Sequence, residues 1–156
     1  MFYLGVPRVE IPRASLYTSD GRAEQGEYVV MHPFASAPDK AWPVARFVEV
    51  ASRLGSRVVV VAGPMDDAGQ FARFRVYRGA PLDTVKRLLR DASLFIGNDS
   101  GPAHMAAAFG LPCVVLFGPT DPVTWGPWRT EARVLHGHAI HVDDCLKAVE
   151  ELRVRA

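Results

Sequence analysis

Short apolar runs rich in β-branched residues recur along the chain, and between them polar stretches lead into segments whose apolar residues repeat at a helical spacing. The clearest run is Arg57 to Ala62, with four consecutive valines. The pattern predicts strands over Tyr28–Phe34, Arg57–Ala62, Phe74–Tyr77, Ser93–Gly97, Pro112–Phe117 and Ala132–Leu135. It predicts helices over Pro43–Leu54, Leu82–Asp91 and Pro102–Phe109, a closing helix from about Val142 to Val154, a short helix in the loop after Ala62, and a long loop after Phe117. Residues 1–27 hold Pro7 and Pro12 and keep neither period, so they read as a linker or interdomain arm ahead of a folded unit over 28–156.

Strands that are apolar on both faces and separated by helices of a few turns argue a parallel sheet covered on both sides. The fold class is therefore α/β, a Rossmann-like doubly wound parallel sheet. In such sheets the loops leaving the carboxyl ends of the strands open on one rim, where ligands bind. The rim segments are Pro33–Trp42, Gly63–Asp67, Gly79–Pro81, Gly97–His104 and Gly118–Trp128, which hold most of the Gly, Pro and polar residues that the strands lack.

Composition narrows the partners. The chain has 156 residues, room for one domain with a sizeable core, and 18 Lys and Arg against 17 Asp and Glu. A net charge of +1 provides no field for nucleic acid or an acidic membrane, so any anion must be held locally. No apolar run approaches the roughly 20 residues of a membrane span, and the first residues lack the pattern of a secretory signal. Cys113 and Cys145 fall in a strand and a helix, as small buried thiols of a reducing compartment would. The expected location is the cytoplasm.

The stretch from Phe95 to Pro122, FIGNDSGPAHMAAAFGLPCVVLFGPTDP, sets a polar turn between a buried strand and an apolar helix. Pro102 suits the first position of a helix, and Gly110 with Pro112 behind it suits the stop. A helix start at the end of a buried strand offers free backbone N–H groups and the positive end of the helix dipole, a cradle for phosphate. In this reading Gly101 lets a ligand approach the backbone, Ser100 or Asp99 caps the helix, and His104 in its first turn donates to a phosphate. The pattern alone serves a capped structural helix equally well. On the loop HPFASAPDKAWP, His32 to Pro43, Ser36 supplies a hydroxyl and Lys40 a mobile charge at the same rim. The loop FGPTDP, Phe117 to Pro122, adds Gly118 and Thr120.

Lys-x-Trp-Pro, Asp-Ser-Gly-x-x-His and Phe-Gly-Pro-Thr-Asp-Pro, read together, resemble the carboxyl-terminal half of the ADP-heptose:lipopolysaccharide heptosyltransferases, glycosyltransferase family 9, over about Tyr28 to Leu152. The resemblance implies one half of a GT-B enzyme, the half that holds the nucleotide-sugar donor in an inverting transfer of heptose from ADP-heptose to a lipopolysaccharide core acceptor. It implies that Lys40 meets the diphosphate, that Asp99, Ser100, Gly101 and His104 contact the phosphates or the sugar, and that Ser36 stands where a threonine is common. Asp66 stands where a ribose-binding glutamate is common, and Gly79 and Ala80 lie in the loop near the base. No cofactor and no metal are implied. The amino-terminal half, which supplies the catalytic base and the acceptor site, has no counterpart in these residues, so the chain is expected to bind the donor but barely to catalyse. A peripheral association with the inner membrane is compatible with such an acceptor. A GT-B enzyme for another nucleotide sugar, and a stand-alone nucleotide-binding module without catalysis, remain alternatives.

His136, His138 and His141 have a spacing open to a metal, but no carboxylate or cysteine is placed to complete a ligand set. Trp125 and Trp128 are expected to pack over the core in preference to lining the cleft. The cleft side is expected to expose an apolar surface.

Overall fold

The structure, a computed structural model, describes residues 10–137 and 139–153. Six strands form one sheet: β1 (Val29–His32), β2 (Val58–Ala62), β3 (Arg75–Arg78), β4 (Leu94–Asn98), β5 (Cys113–Phe117) and β6 (Ala132–His136). Their order is β3-β2-β1-β4-β5-β6, and every neighbouring pair is parallel. Five helices connect and cover them: α1 (Val44–Arg53), α2 (Leu82–Asp91), α3 (Gly101–Ala108), α4 (Pro122–Trp125) and α5 (Val142–Arg153). This is the doubly wound α/β fold that the alternation predicts.

The strand residues divide alternately between two cores, as a pleat requires. Val29, Met31, Val58, Val60, Ile96, Val114 and Leu116 face α1 and α5, where they meet Phe47, Val50, Cys145, Val149 and Leu152. Val30, Val59, Val61, Phe95, Val115 and Phe117 face α2 and α3, where they meet Leu88, Leu89, Ala103 and Ala106. Burial pushes the thiols of Cys113 and Cys145 up to about 12, so both are inert packing groups.

The predicted elements are present with ends shifted by a few residues, and Val154 lies outside the described residues. The expected short helix after Ala62 is one turn of 3-10 helix, Gly69–Phe71. Two elements were not legible. A 3-10 turn, Pro38–Lys40, sits in the loop after β1, and α4 breaks the long loop after β5, held by the Asp121 carboxylate, which accepts the N–H groups of Val123 and Thr124. At the end of α3, Gly110 takes a φ of 74° while its N–H bonds to Ala107 and that of Leu111 to Ala106. That is the left-handed glycine stop read from the sequence.

Ahead of the sheet, residues 17–24 of the segment read as an arm lie along α2 and β3, while Glu10 pairs with Arg129 beyond β5. The Ser19 hydroxyl donates to Asp83, and Arg90 donates to the carbonyls of Ser19 and Gly21. Glu24 is buried, paired with Arg57 and Arg75 and accepting the Tyr77 hydroxyl at 2.6 Å.

Candidate functional site

Strand order reverses direction between β1 and β4, where the connections from the two central strands diverge to opposite faces of the sheet and leave a crevice at their carboxyl ends. His32 on β1 stands opposite Gly97 on β4 there. Gly97 has no room for a side chain, because a Cβ would lie 2.7 Å from the His32 carbonyl oxygen and 2.7 Å from the Phe95 ring. The close approach of the two strands at the crevice thus depends on that glycine.

A cavity of about 300 Å³ opens over this point, lined by His32, Phe34, Ala35, Ser36, Asp66, Asp99, Ser100, Gly101 and Pro102. A second cavity of about 450 Å³ adjoins it and shares His32 and Pro102 as lining; its other walls include Val61, Ala62, Pro64, Gly79, Ala80, Val85 and Met105. Five of the residues singled out from the sequence, Ser36, Asp66, Asp99, Ser100 and Gly101, therefore meet in the first space, and Gly79 and Ala80 line the second. Gly79 holds a φ of 61° and donates its N–H to the Ala62 carbonyl at 2.8 Å, which ties this wall of the second cavity to the end of β2. Asp66 turns one carboxylate oxygen to its own loop, accepting the Gly63 N–H at 2.7 Å.

Lys40 is not in that space. It lines a separate cavity of about 230 Å³ with Asp39, Trp42, Asn98, Gly118, Gly137 and Ile140. Among the described residues no carboxylate pairs with it. The turn that carries it is pressed onto β5, since a Cβ on Gly118 would lie 3.0 Å from the Asp39 carbonyl oxygen.

Helix α3 begins at Ser100 without a side-chain cap. The expectation that Ser100 or Asp99 caps it fails because both side chains are engaged elsewhere. The Ser100 hydroxyl donates to the Asn98 carbonyl at 3.0 Å, and Asp99 accepts the Thr120 hydroxyl at 2.9 Å. The N–H groups of Gly101 and Ala103 are thus left without a side-chain oxygen at the edge of the cavity, while Pro102 has none and that of His104 donates to the Ser100 carbonyl, an arrangement that suits an anion. His104 lies one turn on, half exposed, with Nε2 3.7 Å from the second Asp99 oxygen. The Asp99 carboxylate is thereby spanned between Thr120 and His104.

Two residues that carry this geometry were not singled out as site residues. Asn98 is fully buried; its Oδ1 accepts the Trp42 N–H at 3.0 Å and its Nδ2 donates to the Pro33 carbonyl at 2.9 Å. One amide thus ties both ends of the loop that carries Ser36 and Lys40. The other is His32, whose Nδ1 lies 2.9 Å from the Val61 carbonyl oxygen. Burial pushes its pKa below the ordinary imidazole value, against the smaller opposing effects of that hydrogen bond and of Asp66.

Trp125 and Trp128 are each 54% exposed, which overturns the expectation that they pack over the core. Trp125 ends the short α4, and Trp128 stands in the Gly/Pro-rich loop behind it beside Arg129, which pairs with Glu10. Met65, Leu82 and Val123 are likewise exposed. Among the described residues no group of His, Cys, Asp or Glu is arranged to hold a metal ion. β6 ends at His136, and His138 lies outside the described residues.

A family model, glycosyltransferase family 9 (heptosyltransferase), matches residues 6–153. The chain belongs to that family. Lipopolysaccharide heptosyltransferase 3 of Escherichia coli is 36% identical to it over 116 residues, which are 65% of this chain and 34% of that protein. Lipopolysaccharide heptosyltransferase 2 of Escherichia coli K12 is 34% identical over 113 residues, 63% of this chain and 32% of that protein. The chain therefore spans about a third of the length of these curated relatives. Among solved structures, a family 9 glycosyltransferase from Veillonella parvula superimposes with a TM-score of 0.74 at 28% identity, covering 83% of this chain and 46% of that one. The ADP-heptose lipopolysaccharide heptosyltransferase II of Escherichia coli gives 0.71 at 27% identity, covering 83% and 47%. The family 9 fold here is the GT-B half with the six-stranded parallel sheet. No helix among the described residues is long and apolar enough to cross a membrane.

Proposed function

We propose that this chain holds the nucleoside diphosphate sugar donor, ADP-heptose, for an inverting transfer of heptose to a lipopolysaccharide core acceptor. The observation that carries the reading is the pair of joined cavities at the switch point. One is walled mainly by apolar residues and sized for a base, and the other carries Ser36, Asp66, Asp99 and Ser100 beside the uncapped start of α3. Relatives named as heptosyltransferases, one of them for ADP-heptose, support the choice of donor.

In such a transfer the acceptor hydroxyl attacks the anomeric carbon while the bond from that carbon to the diphosphate oxygen breaks, and a base takes the hydroxyl proton. The residues of this chain serve the leaving side of that reaction. The first amides of α3 and the His104 ring receive the negative charge that develops on the diphosphate, and Lys40 meets it by leaving the separate cavity that it lines here. Ser36, Ser100 and Gly101 fix the diphosphate, Asp99 meets the hydroxyls of the sugar, and Asp66 takes the ribose. No base for the acceptor is assigned among these residues. A partner half would supply it together with the acceptor site, and donor binding by this chain alone goes with little transfer. The reading sets the chain in the cytoplasm, against the inner membrane only peripherally.

One observation keeps another nucleotide sugar in view. Apart from His32, the walls of the larger cavity are apolar side chains and glycines, so the backbone groups near Gly79 and Ala80 are the main source of a preference for adenine. Calorimetric titration with ADP, UDP and GDP separates the readings. ADP binding several-fold tighter than the others supports the heptose donor, equal affinities support a different donor, and tight ADP binding without transfer after addition of a partner half supports a stand-alone module.

A further inference from the structure

His32 is the residue shared, with Pro102, by the two joined cavities. Any ligand that places a base in the larger cavity and a diphosphate against α3 must run its connecting sugar across these two side chains. Pro102 has no donor or acceptor to offer from its ring. His32 does, and its chemistry is settled by its partner. The Val61 carbonyl oxygen 2.9 Å from Nδ1 can only accept, so Nδ1 carries the proton. Burial disfavours the charged ring, and a neutral imidazole protonated at Nδ1 presents a lone pair at Nε2. Among the described residues no donor uses that lone pair, and Nε2 is not sealed away from solvent. The ring is held in place by the Val61 contact and by an edge-on contact with Phe34 at 6.1 Å between centroids.

We propose that Nε2 of His32 accepts a hydrogen bond from a ribose hydroxyl of the bound nucleoside diphosphate, making His32 the group that reads ribose at the junction of the two cavities. The assignment rests on the donor reading given above and adds to it a residue and the feature of the ligand that it recognises. A phosphate at the same place would need a donor, and Nε2 in this tautomer has none. A hydroxyl supplies the proton that the lone pair requires. Asp66, which lines the same cavity, stays available for the other hydroxyl through the oxygen not bonded to Gly63.

The test is a calorimetric comparison of ADP with 2′-deoxy-ADP and 3′-deoxy-ADP on the unsubstituted chain, His32→Ala and His32→Gln, with a thermal melt of each variant. The unsubstituted chain should lose about 3- to 10-fold in affinity when the hydroxyl that meets His32 is removed. His32→Ala should bind ADP more weakly by the same factor and no longer distinguish it from that deoxy analogue. His32→Gln, which keeps a donor for Val61 and an acceptor for the hydroxyl, should recover part of the discrimination. Equal discrimination in His32→Ala and the unsubstituted chain, or equal affinity of the unsubstituted chain for all three ligands, overturns the assignment and leaves the donor reading standing. Failure of the unsubstituted chain to bind ADP overturns both.

Discussion

Oδ1 of Asn98 accepts the backbone N–H of Trp42 at 3.0 Å, so the strand that leads into Asp99 and Ser100 also holds the loop that carries Ser36 and Lys40. The same amide donates to Pro33 at the loop's other end. Only an amide supplies both an acceptor and a donor here. Asn98→Asp keeps the shape but turns a carboxylate oxygen toward the Pro33 carbonyl in a fully buried place. It should cost about 2–3 kcal/mol of stability by thermal or urea unfolding, and the remaining folded protein should bind ADP more weakly. Asn98→Ala should show the same direction in both measurements.

Gly97 controls the crevice in a different way. Both nearest neighbours of an added Cβ, the His32 carbonyl and the Phe95 ring, belong to the sheet and its core, and neither can yield cheaply. Gly97→Ala should therefore destabilise the fold by about 1–3 kcal/mol, the scale of overpacking, read as a lowered unfolding midpoint.

Thr120 holds one oxygen of Asp99 while the other faces His104. Removing the hydroxyl frees the carboxylate to turn toward the diphosphate, where its charge repels the ligand. Thr120→Val should weaken ADP binding by about 1 kcal/mol, and Thr120→Ser should restore it. Equal affinities in the valine variant and the unsubstituted chain would separate Asp99 from the anion site.

Lys40→Ala and His104→Ala should each weaken ADP by about 1–3 kcal/mol in the same titration. Because Lys40 lines a cavity of its own, the two losses should add. A Lys40→Ala variant with full affinity would assign that cavity to some other part of the donor.

Glu24 ties the leading residues to the sheet. Burial raises its pKa, but hydrogen bonds from Tyr77, Arg75 and Arg57 outweigh that and hold it below the ordinary carboxylate value. A carboxyl depressed in the folded state contributes stability that is fully present above its unfolded pKa and is lost as pH falls through the folded one. Glu24→Gln should thus lower the unfolding midpoint at neutral pH, and the difference from the unsubstituted chain should shrink as the solution is acidified below the usual carboxylate range. A difference that stays constant with pH would show that the carboxylate charge does not hold this segment.

The alternation of buried strands and helices was legible because both faces of the sheet are covered, which writes continuous apolar runs such as Val58–Val61 into the chain. The helix start at Gly101–Pro102 and its stop at Gly110 were legible from backbone chemistry alone. Asn98 and His32 were not legible as site residues, because their roles depend on the Trp42 N–H and the Val61 carbonyl, backbone groups brought near only by strand order. The cap at Ser100 was misread for a related reason. Its hydroxyl donates to the Asn98 carbonyl instead of accepting a helix N–H, a choice that local sequence leaves open. Trp125 at the end of α4 and Trp128 behind it were misread because a Gly/Pro loop gives no pattern that says which way it folds.

The central claim is that the start of α3 is an anion site for a nucleoside diphosphate. The most direct measurement is a titration of the isotope-labelled chain with ADP, followed by the amide signals in nuclear magnetic resonance. The largest, saturable shifts should fall on Gly101, Ala103 and His104, with smaller ones at Gly79 and Ala80. Shifts confined to Lys40, Gly118 and Gly137, or no saturable shift anywhere, would contradict it.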